Sequence, residues 1–370
     1  MVVKSRPFRR ARGAGSIPGF AGMRRPVLPV AAILPLIWIA GPPRVPLSSS
    51  HPDRSVRCFE EVEGRRMQYA WTNVRGERTS LAFFIPRQDL EASESGFGYF
   101  KTELEKDILE LEAALRERKD LSPWAMAQRL LHGSPMSRRL EIREGPEGSL
   151  IFAVGPGQAS DTEAAAETAR LQARLDQDWL PCREAVRRAV RKRISSYLAD
   201  RGLVRLAEGI AVRYDEVVER NLPFVRPLAS NLEGCTRSQN TLDLLEAVLS
   251  FVQAIPNGDV PAEQGGKYTA GLSVPLRVLA DDRGDCDSKA VLFACLWRSL
   301  SHAPLALVSI PDHMLVAVAV PRPAGAVISI HSRKYVLLEV CTGRRTAAGT
   351  IMPYSAKAVL AGRVRYKLID

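Results

Sequence analysis

The stretch Arg283-Gly284-Asp285-Cys286-Asp287-Ser288-Lys289-Ala290, running on into Val291-Leu292-Phe293-Ala294-Cys295-Leu296-Trp297, decides the fold of this chain. From Ala290 onward it is apolar on nearly every side, which predicts a helix buried all round. Gly284 permits a close approach of the chain, and the acid-flanked turn after it puts Cys286 at or beside the helix N-cap. Unpaired amide hydrogens and the positive end of the helix dipole favour thiolate over thiol there, which makes a cysteine nucleophilic near neutral pH. Most cysteines are small hydrophobes. Cys295, deep in the apolar run, fits that description; Cys286, in a polar turn, does not.

Working outward, four β-rich runs follow at 304–310, 314–320, 327–330 and 335–340, separated by turns with Pro and Gly. Upstream, Leu242, Leu245, Val248, Leu249 and Val252 recur at helical spacing, and Gly258, Gly265 and Gly266 mark a loop before the cysteine. A long helix docked on an antiparallel sheet is implied, an α+β core over 205–370. Residues 55–204 read as a smaller accessory α+β region. In it, 67–71 and 80–85 form a hairpin, 99–118 an amphipathic helix, 139–154 a second hairpin, and 161–201 a helix-rich stretch. The Arg/Lys run at 187–193 reads as a solvated helix face rather than a binding patch.

A thiolate nucleophile needs an imidazole to take its proton and later protonate the leaving amine. Of His51, His132, His302, His313 and His331, the residue favoured over His331 is His313, which opens a strand after the Pro311-Asp312 turn at the rim of the sheet. His302, just past the cysteine helix, suits C-terminal capping. Glu339 is a lone carboxylate in the apolar run Tyr335-Val336-Leu337-Leu338-Glu339-Val340. An acid there needs a partner, and it is the candidate to orient the imidazole. Asp281, Asp282, Asp285 and Asp287 lack the spacing of a calcium loop, and the histidines lack metal-ligand spacing, so no metal or cofactor is expected.

The run GDCDSKAVLFACL, then IPDHMLVAV and YVLLEVCT, resembles the transglutaminase-like superfamily, whose bacterial members share a papain-like cysteine-histidine-acid core. The resemblance covers about residues 205–370. It implies Cys286 as nucleophile, His313 as general base and acid, and Glu339 as orienting acid. FVQAIP at 251–256, with the loop to Leu272-Ser273-Val274-Pro275, resembles the region before the nucleophile in a prokaryotic subgroup. Gln253 there is a candidate oxyanion donor, with a structural or solvated amide as the alternative. Three positions depart from the family pattern: Glu339-Val340-Cys341-Thr342 where Asp-Pro-Thr is common, Ser288 where an acid is frequent, and Met314 where a small residue is common.

Composition bounds the rest. The chain has 370 residues, 46% of them hydrophobic and 25% charged, enough for two domains, and its 6 cysteines are too sparse for a disulfide scaffold. No CxxC pair occurs, and with one thiol catalytic the other five cannot all pair within the chain. The net charge of +11 is concentrated in residues 1–25, which hold Lys4, six arginines and no acid. The remainder carries too little surplus for a nucleic-acid surface. Residues 26–41 follow as an uncharged apolar stretch, short of the roughly 20 residues a spanning helix needs and interrupted by Pro29 and Pro35. Residues 1–50 thus read as a secretory signal or an uncleaved N-terminal anchor with a linker, and Met23 is a candidate start. The expectation is a periplasmic or secreted cysteine-dependent acyl-transfer enzyme that hydrolyses a peptide, protein or other amide-containing substrate through a Cys-His-Glu triad. Its competitor is a catalytically silent envelope interaction module of the same fold; nucleic acid is not an expected partner, and a membrane tether through 26–41 is an open alternative.

Overall fold

The computed structural model describes residues 3–4, 54–118, 121–145, 149–156, 161–236 and 240–369. The expected signal segment 26–41 and His51 lie outside them, and none of the described helices is long and apolar enough to cross a membrane. The described chain is α+β, with several antiparallel sheets. It divides into two compact units: 3–4 and 54–101 with 198–369, and 102–197.

In the larger unit the expected β-rich runs form one sheet, in the order Val3–Lys4, Val327–Ile330, Arg333–Leu338, His313–Val318, Leu305–Ile310 and Arg365–Ile369. Only the first pairing is parallel. The Pro311-Asp312 turn is tight: Ile310 lies opposite His313, and Asp312 takes the left-handed conformation (φ 59°) that Asp tolerates better than most residues. His313 therefore begins its strand at the rim of the sheet. Leu338 pairs with Val316, so the chain leaving that strand at Glu339 runs toward the His313 end.

The helix Cys286–Leu300 packs on the strands His313–Val318 and Leu305–Ile310, and on the helices Tyr214–Glu233 and Thr241–Ala254. Ala290 through Trp297 are all fully buried, as an all-round apolar run requires. Its other end is capped by Asp285, whose carboxylate accepts the Ser288 N–H at 3.0 Å.

The domain boundary differs from the sequence reading. The hairpin expected in an accessory region at 55–204 belongs to the larger unit, with a third strand, Arg54–Glu61, paired beside Gly64–Thr72 and Arg78–Pro86. The reason is its inner face. Met67, Tyr69, Trp71, Leu81, Phe83 and Ile85 are buried, and so large an apolar face needs other elements packed against it. The Tyr69 hydroxyl donates to the Leu279 carbonyl at 2.9 Å and the Trp71 indole to Ser250 Oγ at 3.2 Å. Both rings rest against Phe251, with centroids 5.4 and 5.3 Å away. Arg54 donates to the Ala254 carbonyl and to Asp282.

The smaller unit holds the helices Lys101–Glu117, which enters it at 102, and Pro123–His132, the hairpin Leu140–Glu144 with Leu150–Val154, and most of the 38-residue helix Thr162–Ala199. Its own core joins Met126, Ala127, Leu140, Phe152, Ala164, Leu171 and Leu175. Within the 187–193 run, Arg187 and Arg193 pair with Glu184 and Asp107 along a largely solvated face.

Candidate active site

Cys286 is the first residue of its helix, and the two residues before it are held from both sides. Gly284 forms a parallel bridge with Asn257: its N–H donates to the Pro256 carbonyl at 3.1 Å, and its carbonyl accepts the Gly258 N–H at 3.1 Å. A Cβ on Gly284 would stand 3.2–3.3 Å from the side chains of Val278 and Lys289, a tight fit that would require those neighbours to shift by a few tenths of an ångström. Ser288, fully buried, accepts the Ser273 N–H at 2.9 Å. The helix start is thus an anchored platform, with the thiol at its edge.

His313 and Glu339 meet, Nε2 against Oε1. The Glu339 side chain is 0% exposed and that of His313 is 7% exposed, which makes this a shielded pair. The second carboxylate oxygen accepts the Met352 N–H at 3.0 Å, so Glu339 is fixed at both oxygens. A carboxylate held this way sets the ring orientation and keeps Nε2 protonated, leaving Nδ1 as the nitrogen free to exchange a proton. The Tyr354 ring stands edge-on to the imidazole at 5.3 Å. Its hydroxyl is pushed above the usual phenol range by burial first and by the Glu339 charge second, with smaller contributions from Cys341 and Cys286.

The thiol has an acidic neighbourhood. Cys286 donates to Asp287 Oδ1 at 3.2 Å, and Asp287 Oδ2 accepts the Tyr214 hydroxyl at 2.7 Å. Burial raises the Cys286 thiol above its ordinary range, and Asp287, Asp285 and Cys341 push the same way. Burial and the two flanking carboxylates thus work against the thiolate that the sequence expectation placed at the helix N-terminus. A proton leaves this sulfur only when a base takes it. Cys286, Glu339 and Cys341 all raise the Tyr354 hydroxyl, so that hydroxyl lies within electrostatic reach of both the sulfur and the carboxylate that holds His313.

Gln253 is corrected as well. It is fully buried, and its amide nitrogen donates to the Glu339 carbonyl at 2.9 Å and to Thr346 at 3.0 and 3.1 Å, while its oxygen accepts the Thr346 N–H at 3.1 Å. With both donors committed it braces the Glu339 backbone and has no hydrogen left for an oxyanion. His331 sits in the turn between strands 327–330 and 333–338 (φ 46°), 3.5 Å from the Tyr366 hydroxyl. His302 is exposed beyond the helix end, where Ser301 is the C-cap. His132 contacts the Gln128 carbonyl within the smaller unit. The acidic cluster separates into individual roles: Asp282 pairs with Arg54, Asp285 caps the helix and Asp287 holds Tyr214. None of the six cysteines is joined in a disulfide.

One residue escaped the sequence reading. Lys289, three positions after Cys286, is fully buried and donates to the Ile255 carbonyl at 2.8 Å and to Asn257 Oδ1 at 2.9 Å. The available signal was a lysine interrupting a run otherwise destined for the core. Comparison with known proteins finds no match to a family model, a curated protein or a solved structure.

Proposed function

We propose that this chain is a cysteine-dependent acyl-transfer enzyme of transglutaminase-like, papain-like type, hydrolysing an amide or peptide bond in a peptide, protein or small amide through Cys286, His313 and Glu339. The observation that supports it is the His313–Glu339 contact, in which a carboxylate with no solvent exposure orients an imidazole at the sheet rim beside the cysteine helix. A histidine and a glutamate brought together this far into the interior need a purpose beyond stability, because a buried pair recovers its desolvation cost poorly.

In the reaction the Cys286 sulfur attacks the substrate carbonyl carbon as His313 Nδ1 takes the thiol proton. The tetrahedral adduct collapses, the C–N bond breaks, and the imidazolium returns its proton to the leaving amine. Water then adds to the thioester with His313 again as base, and the carboxylic acid leaves as the thiol reforms. Because the resting thiol is held protonated by burial and Asp287, proton transfer and attack are coupled steps. Cys286→Ser and His313→Ala are each expected to abolish turnover and labelling of residue 286 by a thiol probe. Unchanged activity in both discards the mechanism. Export to the periplasm or beyond is part of this proposal and rests on the sequence of residues 1–50, fractionation being its test.

One observation favours a silent interaction module instead: the thiol donates to Asp287 and not to the imidazole. Alkylation of Cys286 by iodoacetamide at pH 6 separates the readings. Histidine-assisted reaction supports the enzyme, and slow alkylation indifferent to His313→Ala supports the module.

A further inference from the structure

Lys289 is the one lysine among the fully buried side chains of the described residues, and burial without an acidic partner is among the costliest placements available to it. Both of its hydrogen bonds go to neutral oxygens, the Ile255 carbonyl and Asn257 Oδ1. A methionine or leucine would fill the same space without that penalty, so stability alone does not account for the residue.

Its contacts converge on the approach to the thiol. The stem packs on Gly284, where an added Cβ would lie 3.3 Å from Lys289 Cγ. The ammonium grips 255 and 257, the same turn that bridges Gly284 through Pro256, Asn257 and Gly258. Asn257 gives its oxygen to Lys289 while its buried amide nitrogen goes without a protein partner, a sign that this contact takes precedence. We propose that Lys289 is the positioning residue of Cys286, clamping the 255–258 turn onto Gly284 and setting one buried positive charge a single helical turn from the sulfur. This rests on the reading of Cys286 as nucleophile and adds to it how a thiolate is tolerated there.

The charge is needed because the other groups facing the sulfur oppose ionisation: Asp285 and Asp287 from its own helix and Cys341 after the neighbouring strand, with the hydroxyls of Tyr214 and Tyr354 nearby. Lys289 itself faces Cys341, Cys286, Arg54 and Asp282. Burial brings its ammonium down to about 8, against the pull of the two thiols, so near neutral pH it remains mostly charged.

The test is peptide-resolved iodoacetamide alkylation of the full chain from pH 6 to pH 10, read at Cys286 with Cys295 as the internal control. Lys289→Met is expected to slow alkylation of Cys286 at least tenfold at pH 7 and to move its pH midpoint upward by a unit or more, with Cys295 unchanged. Lys289→Arg, which keeps the charge, is expected to restore part of the midpoint shift. Asn257→Ala removes one acceptor and keeps the charge, so it is expected to slow Cys286 about threefold with the midpoint in place. A folded Lys289→Met with the wild-type profile overturns the inference. If that variant does not fold, Asn257→Ala decides, and an unchanged Cys286 rate overturns it equally. His313→Ala in parallel keeps the two claims apart: no effect of that variant defeats the nucleophile reading, whereas an effect of His313→Ala without one of Lys289→Met defeats only the role of Lys289.

Discussion

The first turn of the helix Cys286–Leu300 and its next two turns are comparably interior but built on opposite principles. From Ala290 to Trp297 every side chain is apolar or a thiol, and packing alone accounts for the burial. At the helix start Ser288 and Lys289 are equally enclosed and Asp285 is nearly so, and each is tied to a named backbone or amide group. Cys295 and Cys286 show the contrast within one residue type. Cys295 is 3.7 Å from the Val218 carbonyl, with the Glu219 charge acting on it, whereas Cys286 is set among two carboxylates, a lysine and the Tyr354 hydroxyl. Burial raises both thiols. What separates structure from chemistry is therefore the neighbours a thiol has been given rather than its burial.

The largest expected effect tests the apolar half. Trp297→Ala removes one of the largest fully buried side chains, stacked on Phe293 at 6.4 Å, and is expected to cost about 3–5 kcal/mol in denaturant unfolding. Alkylation of Cys286 in the remaining folded protein is expected to be unchanged; a parallel loss of thiol reactivity would show that the two halves are not separable. Next comes Glu339→Gln, which keeps the shape but loses the charge that holds the imidazole. Turnover is expected to fall by roughly 10²–10⁴, with unfolding midpoints moving little because Gln253 still bonds the backbone carbonyl of residue 339 and a glutamine oxygen can still accept the Met352 N–H. A variant that unfolds readily and keeps its rate would make Glu339 a structural group.

The smallest effect is a pH dependence. Cys295 and Cys341 have folded-state pKa values raised by burial, Cys341 to about 11. Their contribution to stability is fully present below the ordinary thiol range and is lost as pH rises through it toward the folded values. Lys289 works in the opposite direction, since its folded value of about 8 lies below the usual 10.5 and its penalty is relieved between those two pH values. Cys295→Ala should flatten the alkaline loss of stability, and Lys289→Met should steepen it. Chemical denaturation at pH 7, 9 and 10 measures both slopes, and equal slopes in wild type and Cys295→Ala would show that the buried thiol does not titrate with unfolding.

Much of the site was legible because its signals are local. Gly284, the acidic turn, the all-round apolar run and the Pro311-Asp312 turn each fix a piece of backbone from neighbours in the chain, and Glu339 stood out as a charge with no polar company. What escaped the sequence depends on groups far apart in it. The saturation of Gln253 is decided by Thr346, and the burial of Lys289 by residues 255–257, whereas a lysine in a sequence is ordinarily read as solvated. The thiol pKa follows from how much water reaches Cys286, which no spacing encodes. The strand Arg54–Glu61 was missed because it is mostly exposed and shows no clean apolar alternation. Its sheet was assigned to the wrong unit because Tyr69 and Trp71 reveal their partners only at Leu279 and Ser250.

That last pairing bears on how the protein is made. The bonds from Tyr69 and Arg54 close loops of about 200 residues, so the larger unit cannot be sealed until nearly the whole polypeptide has left the ribosome. Until then the inner face of the sheet at 54–86, with Tyr69 and Trp71, lacks its cover, and the nascent chain carries a sticky patch for which a holding chaperone is the natural guardian. Expression boundaries drawn at residue 205 would remove that sheet and leave the opposite side, around Phe251, uncovered for good.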